Sequence, residues 1–391
     1  MSGGGPALLV VDDLEDNRAV LIARLNRLGY TDVTEAENGR KALELMAGRP
    51  FDLVLLDVMM PEMNGYQVLE RLREEGRLTH LPVIVVSALA EMDSVIRCIE
   101  LGAEDYLTKP LNAVLLKARV GACLEKKRLR DEVTRHLDRM ERELASARAI
   151  QLGMVPSVFP APGPDHPVEV FAMLEPARQI GGDLYDVFTL PTGHLVLVVA
   201  DVSDKGAPAA LFMARTKTLT RLVATLAPGG PGAVPDPADI LARVNVELCH
   251  DNEQGMFVTL FLGLLDPGTG ALTFCNGGHG APYVIAADGR VSPLAGARCK
   301  PLGIRPSFTY ETVSCALAPG DGLFVYTDGI TEAMDAAGEL FSEERLEAAL
   351  AEHAAAAPRA LVDAVIARVR EFEAGAPPSD DIAALAVRRL P

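Results

Sequence analysis

The chain has 391 residues, 49% of them hydrophobic and 23% charged, which is enough for two or three ordinary globular domains. Its formal net charge is −17, and no stretch forms a basic stripe, so the composition argues against a nucleic-acid partner. The six cysteines form no CxxC pair, the first residues lack the pattern of a signal peptide, and no apolar run approaches the roughly 18 residues that span a bilayer. We therefore expect a cytoplasmic protein without a membrane segment.

From Ala7 to about Cys123, a short apolar run followed by an amphipathic helix repeats five times. This alternation predicts a doubly wound α/β domain, in which a five-stranded parallel sheet is covered by helices on both faces. The predicted strands are Leu8–Val11, Val33–Ala36, Leu53–Leu56, Val83–Val86 and Asp105–Leu107. Functional groups in such a sheet lie beyond the carboxyl ends of its strands.

Charged and hydroxyl side chains stand at those carboxyl ends. Three carboxylates would repel one another there, so the cluster requires a cation such as Mg²⁺. One carboxylate could then act as a nucleophile toward a phosphoryl group and give an acyl phosphate. The residues concerned are Asp12 and Asp13 after the first strand, Asp57 after the third, Ser87 after the fourth and Lys109 after the fifth.

These residues, together with the run from Met59 to Gly65, resemble the receiver domain of bacterial response regulators. The resemblance implies that Asp57 is the phosphoacceptor and that a sensor histidine kinase supplies the phosphoryl group. It also implies that Asp12 and Asp13 form a Mg²⁺ pocket with Asp57. The other implied roles are a switch hydroxyl at Ser87, an aromatic switch at Tyr106 and a phosphate-binding lysine at Lys109.

A long charged segment without proline follows, between about Val114 and Met154. Its apolar positions are spaced four, three, four, three and four residues apart, as in the a/d seam of a coiled coil. We expect a helical linker that forms a homodimeric coiled coil, and the alternative is a single amphipathic helix lying on one of the domains. The seam positions are Val133, Leu137, Met140, Leu144, Ala147 and Gln151.

Five prolines between Pro156 and Pro167 end this helix, and the remainder mixes alternating strands with helices. Strands that look antiparallel, with two long helices in succession among them, predict an α+β sandwich. The predicted domains are therefore residues 1–123, a helical linker at 124–156, and residues 157–391.

Four acidic motifs punctuate the C-terminal part: Gly-Gly-Asp at 181–183, Asp-Val-Ser-Asp at 201–204, Thr-Asp-Gly at 327–329 and Ser-Asp-Asp at 379–381. Each alone could be a turn. Together they predict a shared carboxylate cluster that suits Mg²⁺ or Mn²⁺, because neither Cys nor His accompanies them. Two such cations about 3.5–4 Å apart could activate a water for attack on a phosphate monoester.

The order and spacing of these motifs resemble the PPM (type-2C) serine/threonine phosphatases, in the subgroup of bacterial sporulation and stress phosphatases. The resemblance implies two Mn²⁺ or Mg²⁺ ions held by Asp183, Asp201, Asp328, Asp380 and the backbone carbonyl of Val202. By the same analogy, the substrate is a phosphorylated anti-sigma-factor antagonist.

Three further positions bear on this resemblance. Arg178 occupies the place where eukaryotic members carry a phosphate-binding arginine, although it could equally be a surface salt-bridge partner. His279, in an Asn-Gly-Gly-His motif, is expected to fix a loop by hydrogen bonds and not to ligate a metal. Asp204 replaces a glycine that is usual in the subgroup, and an aspartate tolerates the left-handed backbone conformation.

The combined hypothesis is a response regulator whose receiver, once phosphorylated at Asp57, acts through the linker helix on a phosphatase. The alternative is a catalytically silent adaptor that binds its partner in a phosphorylation-dependent way. A DNA-binding regulator is disfavoured because no basic face follows the receiver. The direction of control stays open.

Overall fold

A computed structural model of the chain describes residues 5–88, 92–163, 166–177, 180–226, 233–296 and 298–391. The chain forms two compact units, Met1–Glu141 and Arg142–Pro391. The three predicted domain ranges, 1–123, 124–156 and 157–391, stay predictions. Within the described ranges, no helix is long and apolar enough to cross a membrane.

The described part of the N-terminal unit has five strands, which pair in the order β2-β1-β3-β4-β5 and are all parallel. They are β1 (Leu8–Val11), β2 (Val33–Ala36), β3 (Leu53–Asp57), β4 (Val83–Ala88) and β5 (Asp105–Lys109). The helices between them are α1 (Glu15–Arg27), α2 (Gly39–Gly48), α3 (Gly65–Glu74) and α4 (Met92–Glu100), with a short 3₁₀ turn at Arg77–Thr79. The predicted five-stranded parallel sheet is confirmed.

Side chains from both faces of this sheet are buried, because successive residues of a strand point to opposite sides. Leu9, Val11 and Leu56 face a core shared with α2 and α3. Leu8 and Val10 face a second core, shared with α1 and with the helix that follows β5. The strand order reverses between β1 and β3, and a crevice forms at that point beyond the strand ends.

A single helix of 42 residues, α5 (Ala113–Met154), begins in the N-terminal unit and ends in the C-terminal unit. Its seam residues Val133, Leu137 and Met140 are 59%, 56% and 58% exposed, so the part of the chain that the structure describes leaves them open. The helical linker is therefore observed, and the coiled coil stays a prediction. At the other end of the seam, Gln151 is only 4% exposed.

In the C-terminal unit, the described strands form two antiparallel sheets, ordered β13-β10-β9-β8-β7 and β12-β11-β14-β15-β6. The strands are β6 (Val168–Glu175), β7 (Leu184–Thr189), β8 (Leu195–Val202), β9 (Val258–Leu265), β10 (Ala271–Gly277), β11 (Tyr283–Ile285), β12 (Val291–Pro293), β13 (Val313–Ala316), β14 (Gly322–Tyr326) and β15 (Ile382–Arg389).

The two sheets pack face to face over a core that includes Leu197 and Phe261 from one sheet and Val325 and Leu385 from the other. The outer faces are covered by two pairs of helices, one pair on each sheet. These are α6 (Ala207–Thr225) and α7 (Pro237–Cys249) on the first sheet, and α8 (Ser342–Glu352) and α9 (Pro358–Glu373) on the second. The predicted α+β sandwich is confirmed.

Candidate functional site

The crevice at the β1/β3 reversal contains the predicted phosphoacceptor residues. The Lys109 ammonium lies 2.9 Å from a carboxylate oxygen of Asp12 and 3.1 Å from one of Asp57. Asn17, on α1, donates to both oxygens of Asp12 at 3.0 and 3.2 Å. The lysine and the two buried carboxylates therefore share one site, although β5 and β1 are separated by two strands of the sheet.

Asp13 completes a triple with Asp12 and Asp57, in which one carboxylate oxygen of each residue lies within 4.8 Å of the others. Burial is the main cause that raises the pKa of Asp57 to about 6, against the opposing effect of Lys109. One lysine cannot neutralise three carboxylates, and a Mg²⁺ ion with oxygen ligands would do so. The donor set fits that ion.

Ser87 is buried near the end of β4, where it pairs in register with Thr108, and Tyr106 is half-buried on β5. The loop after Asp57 returns to the end of β3, where the Gly65 backbone N–H donates to the Val58 carbonyl at 2.9 Å. A Cβ on Gly65 would lie 2.5 Å from the carbonyl oxygen of Asp57, so only glycine fits there. The structure thus brings Asp12, Asp13, Asp57 and Lys109 together at one edge of the sheet, with Ser87 near the end of β4, whereas Tyr106 lies near the start of β5.

In the C-terminal unit, Asp183 precedes β7 and Asp201 lies near the end of β8. Asp183 is 3% exposed and accepts a 2.6 Å hydrogen bond from the Thr327 hydroxyl. Burial first, and the Asp201 carboxylate second, raise the pKa of Asp183 well above its usual range. Burial and then the Asp328 carboxylate raise the pKa of Asp201. These carboxyl groups are too crowded to be ionised together without a cation.

Asp328 follows β14, and Asp380 lies just before β15. Partial burial, Glu332 and Asp380 together raise the pKa of Asp328. Asp380 forms a 2.9 Å ion pair with Lys205, which also donates to the Ser379 carbonyl at 3.0 Å. The four predicted aspartates therefore act on one another electrostatically, in a chain from Asp183 through Asp201 to Asp328 and Asp380.

The carboxylates of this cluster lie farther apart than those of Asp12, Asp13 and Asp57 in the receiver. Across the described ranges, only Asp12, Asp13 and Asp57 form a group of three whose ligand atoms all lie within 4.8 Å. Ligands spread over a wider area suit two cations better than one, and all of them are hard oxygen donors. The donor set fits Mn²⁺ or Mg²⁺.

Val202, whose carbonyl was expected to join the ligands, is the last residue of β8 and is buried. Asp204 follows with φ of +74°, and its carboxylate accepts from the Lys205 N–H at 2.9 Å. An aspartate can therefore occupy a left-handed position where the subgroup usually has glycine, because its side chain binds the local backbone.

His279 is buried and has hydrogen bonds at both ring nitrogens. Its Nε2 lies 2.9 Å from the Tyr326 carbonyl, which can only accept, so Nε2 carries the proton. Its Nδ1, 2.9 Å from the Thr259 hydroxyl, then accepts. Burial lowers the pKa of His279 to about 4, so the ring is neutral at pH 7. This geometry agrees with the expected loop-fixing role.

A polar cavity of about 290 Å³ opens beside this cluster, and Asp201, Asp328, His279 and Arg298 are among the residues that line it. Arg298 donates from Nε and Nη2 to the Gly278 carbonyl, at 3.2 and 2.9 Å. Sequence reasoning did not select Arg298, because it lies in a loop without a motif. Arg178, the predicted phosphate contact, lies outside the described residues.

Sequence reasoning also missed the role of Asp381, the second aspartate of its motif. Asp381 is 8% exposed, and its two oxygens accept from the backbone N–H groups of Ala177 and Gly182, both at 2.8 Å. Sequence spacing alone cannot distinguish Asp380 from Asp381. In the structure, Asp381 binds backbone N–H groups and Asp380 forms an ion pair with Lys205. Asp381 therefore positions the loop that leads to Asp183.

Family models match both units of the chain. The family model described as Stage II sporulation protein E (SpoIIE) matches residues 191–390, and the response regulator receiver domain matches residues 8–121. The chain belongs to the SpoIIE family, with a receiver domain N-terminal to a type-2C (PP2C) phosphatase domain.

Individual relatives match one part or the other. Chemotaxis protein CheY of Pseudomonas aeruginosa is 35% identical over 119 residues, which cover 30% of this chain and 96% of CheY. Protein IcfG of Synechocystis sp. is 31% identical over 224 residues, 52% of this chain and 35% of IcfG. This chain spans 31% to 46% of the length of the first three curated relatives that it matches.

Among solved structures, the SiaA-PP2C domain of Pseudomonas aeruginosa superposes with a TM-score of 0.55 at 22% identity. The match covers 65% of this chain and 98% of that domain. At this identity the likeness concerns the fold, which is that of a PP2C phosphatase.

Proposed function

We propose that this protein is a two-component response regulator whose output is a metal-dependent serine/threonine phosphatase controlled by phosphorylation of Asp57. The observation that carries the proposal is the crowding of Asp183, Asp201, Asp328 and Asp380 beside a polar cavity. Carboxylates are brought together in this way at a cost that bound cations remove.

In the receiver, Asp12, Asp13 and Asp57 would hold Mg²⁺, and the Asp57 carboxylate would take a phosphoryl group from the phosphohistidine of a sensor kinase, whose imidazole is the leaving group. Lys109 already contacts both Asp12 and Asp57, so it is placed to bind an oxygen of the phosphoryl group. Ser87 and Tyr106 respond to that group, as the family resemblance implies.

In the phosphatase domain, the four aspartates and the Val202 carbonyl would hold two Mn²⁺ or Mg²⁺ ions. When bound, these ions supply an activated water for in-line attack on phosphorus. The neutral His279 ring fixes the cavity wall through Thr259 and Tyr326 and takes no part in proton transfer.

Arg298 is placed to bind the substrate's phosphoryl group. Arg298 lines the same cavity as Asp201 and Asp328. A cationic donor next to metal-bound carboxylates suits a dianionic phosphate. This is the role that the family resemblance offered for Arg178, with a surface salt bridge as the equal alternative.

The substrate is a phosphoserine or phosphothreonine protein, and an anti-sigma-factor antagonist is the candidate by family analogy. The exposed seam of α5 suits a second copy of the chain, so we propose a homodimer. Phosphorylation would change the pairing of these helices and thereby the activity of the phosphatase.

The test uses the full chain, Mn²⁺ and an antagonist protein phosphorylated on serine, with and without a small-molecule phosphodonor. We expect Mn²⁺-dependent phosphate release whose rate changes when the donor is added. Asp328→Asn should abolish release, and Asp57→Asn should remove only the response to the donor. Arg298→Ala should raise KM about tenfold or more, because a charged hydrogen bond is lost.

Arg290→Ala is the matched control for Arg298, because Arg290 lies in an exposed turn and pairs with Asp288. If the protein binds the antagonist but releases no phosphate at any Mn²⁺ concentration, it is the catalytically silent adaptor instead.

A further inference from the structure

Lys205 places a positive charge among the four predicted ligand aspartates. Its ammonium lies 2.9 Å from a carboxylate oxygen of Asp380 and donates to the Ser379 carbonyl at 3.0 Å. In the described ranges, Asp380 is the one of these four aspartates that forms an ion pair. Burial, Glu332 and Asp380 raise the pKa of Asp328, and the Lys205 ammonium opposes them. The charge of one lysine therefore acts on two of the four aspartates.

Helix α6 does not explain a cation at this position. The helix begins at Ala207, two residues after Lys205, and its first turn has no acidic residue. The N-terminus of a helix carries a partial positive charge, which repels an ammonium. The carboxylate of the preceding Asp204 accepts from the Lys205 backbone N–H at 2.9 Å. The carboxylate cluster, and not the helix, is therefore what stabilises the ammonium here.

The ion pair between Lys205 and Asp380 is open to solvent. The two side chains are 42% and 36% exposed, whereas those of Lys217 and Asp186, in the same domain, are 10% and 3% exposed. Water screens an exposed pair, which therefore contributes little to stability. The lysine side chain is also flexible, so its ammonium can leave while the backbone stays in place. The pair of Lys205 can thus be exchanged for another cation, and the buried pair cannot.

We propose that Lys205 is an internal counter-ion that holds Asp380 in the metal-free protein and is displaced when a divalent cation binds there. Asp380 is taken as a metal ligand, so the inference rests on the proposed function. The ammonium reduces the repulsion among the aspartates while the site is empty. Because it competes with the cation for the same carboxylate, it also lowers Mn²⁺ affinity. A residue that only oriented Asp380 as a ligand would raise that affinity, so the two roles differ in sign.

The test measures Mn²⁺ binding by isothermal titration calorimetry on the full chain. All proteins compared carry Asp13→Asn, which removes one ligand of the receiver's own cation site. Lys205→Met retains the length of the side chain and removes its charge. We expect Mn²⁺ affinity to rise about fivefold or more, because the competitor and its repulsion of a divalent ion are both lost. Lys205→Arg, which retains the charge, should bind Mn²⁺ no more tightly than the parent protein.

Lys41→Met is the matched control, because Lys41 also forms an exposed ion pair, with Glu44 on α2. It should leave Mn²⁺ affinity unchanged. Thermal unfolding gives a second measurement: saturating Mn²⁺ should raise the melting temperature of Lys205→Met by more than that of the parent protein, because tighter binding stabilises the folded state more.

An unchanged Mn²⁺ affinity in Lys205→Met would overturn the proposal. A lower affinity would also overturn it and would make Lys205 a residue that orients Asp380. Either result leaves the proposed function intact, since Mn²⁺ still binds. If the parent protein bound no Mn²⁺, the proposed function would fail and the role of Lys205 with it.

Discussion

His279 shows how burial decides the role of a single residue. A histidine beside carboxylates is often a metal ligand or a general base, and its position in a motif allows both. Its two hydrogen bonds, to Thr259 and Tyr326, leave neither ring nitrogen available. The role follows from atoms that are 20 and 47 residues away along the chain, which spacing cannot reveal.

The neutral state of His279 predicts a pH dependence of stability. Its pKa is about 4 when folded and about 6.5 when unfolded, so the unfolded chain binds more protons between these values. The contribution of His279 to the free energy of unfolding is fully present above pH 6.5 and is lost as the pH falls toward 4. At about 1.36 kcal/mol per pKa unit, the loss between pH 7 and pH 5 is about 2 kcal/mol.

The comparison is with His279→Gln, which does not titrate. We expect the stability advantage of the parent protein to shrink by that amount as the pH is lowered from 7 to 5. Because the chain has no tryptophan, urea denaturation is followed by hydrogen exchange in β9 and β10. A difference between the two proteins that stays constant with pH would show that the pKa of His279 is the same in the folded and the unfolded chain.

Helix α6 is joined to β7 by a buried ionic cluster. Asp186, whose side chain is 3% exposed, lies 3.1 Å from the Lys217 ammonium and 2.6 Å from the Arg221 guanidinium. Arg221 also stacks 4.5 Å above the Phe188 ring. Because β7 begins directly after Asp183, this cluster holds the middle of the strand that follows that residue.

Removing the anion of this cluster should be costly. Asp186→Asn leaves the Lys217 ammonium buried without a charge partner, and the expected loss is about 3–5 kcal/mol. Lys217→Met should cost less, since Arg221 still neutralises Asp186. Urea denaturation measures both. Asp288→Asn, in an exposed pair with Arg290, is the control and should leave stability nearly unchanged. Equal losses of stability in the three variants would contradict the role of Asp186 as the buried anion of this cluster.

At the level of elements, the spacing of apolar residues located most strands and helices. This spacing shows which face of each element is buried, and the buried faces are the ones that pack against one another. The short strands β11, β12 and β13 were missed, since three or four residues are too few for an alternation to stand out. The spacing of Gln151 was also misleading: it fits the helix seam, but the residue is buried against Gly181. The ligand aspartates were predictable as a group, and the residues that position them were not.

For the whole molecule, the exposed seam of α5 predicts self-association. Changing Val133, Leu137 and Met140 to serine removes three apolar side chains that a partner helix would bury. Both chains of a homodimer carry the change, so six side chains are lost, and at about 1.5 kcal/mol each the dimer should weaken roughly a millionfold. Sedimentation equilibrium measures this change. Ile150→Ser, at an exposed position outside the seam, should leave association unaltered. A parent protein that stays monomeric at high concentration would refute the dimer.

The uninterrupted helix α5 has a consequence for how such proteins can be recombined. A helix turns by 100° per residue, so one inserted residue between positions 133 and 151 would rotate the exposed seam at Val133 away from the helix face that carries Gln151. Seven inserted residues would nearly restore the phase. In chimaeras that exchange the receiver for another sensory module, the new module should therefore control the phosphatase when the helix length changes by a multiple of seven residues. At other lengths we expect no control. A fragment that starts at residue 157 would be expected to fold with a loosened Asp183, because it has lost Gln151 and the Pro156 carbonyl, which bind Gly181 and the Tyr185 hydroxyl.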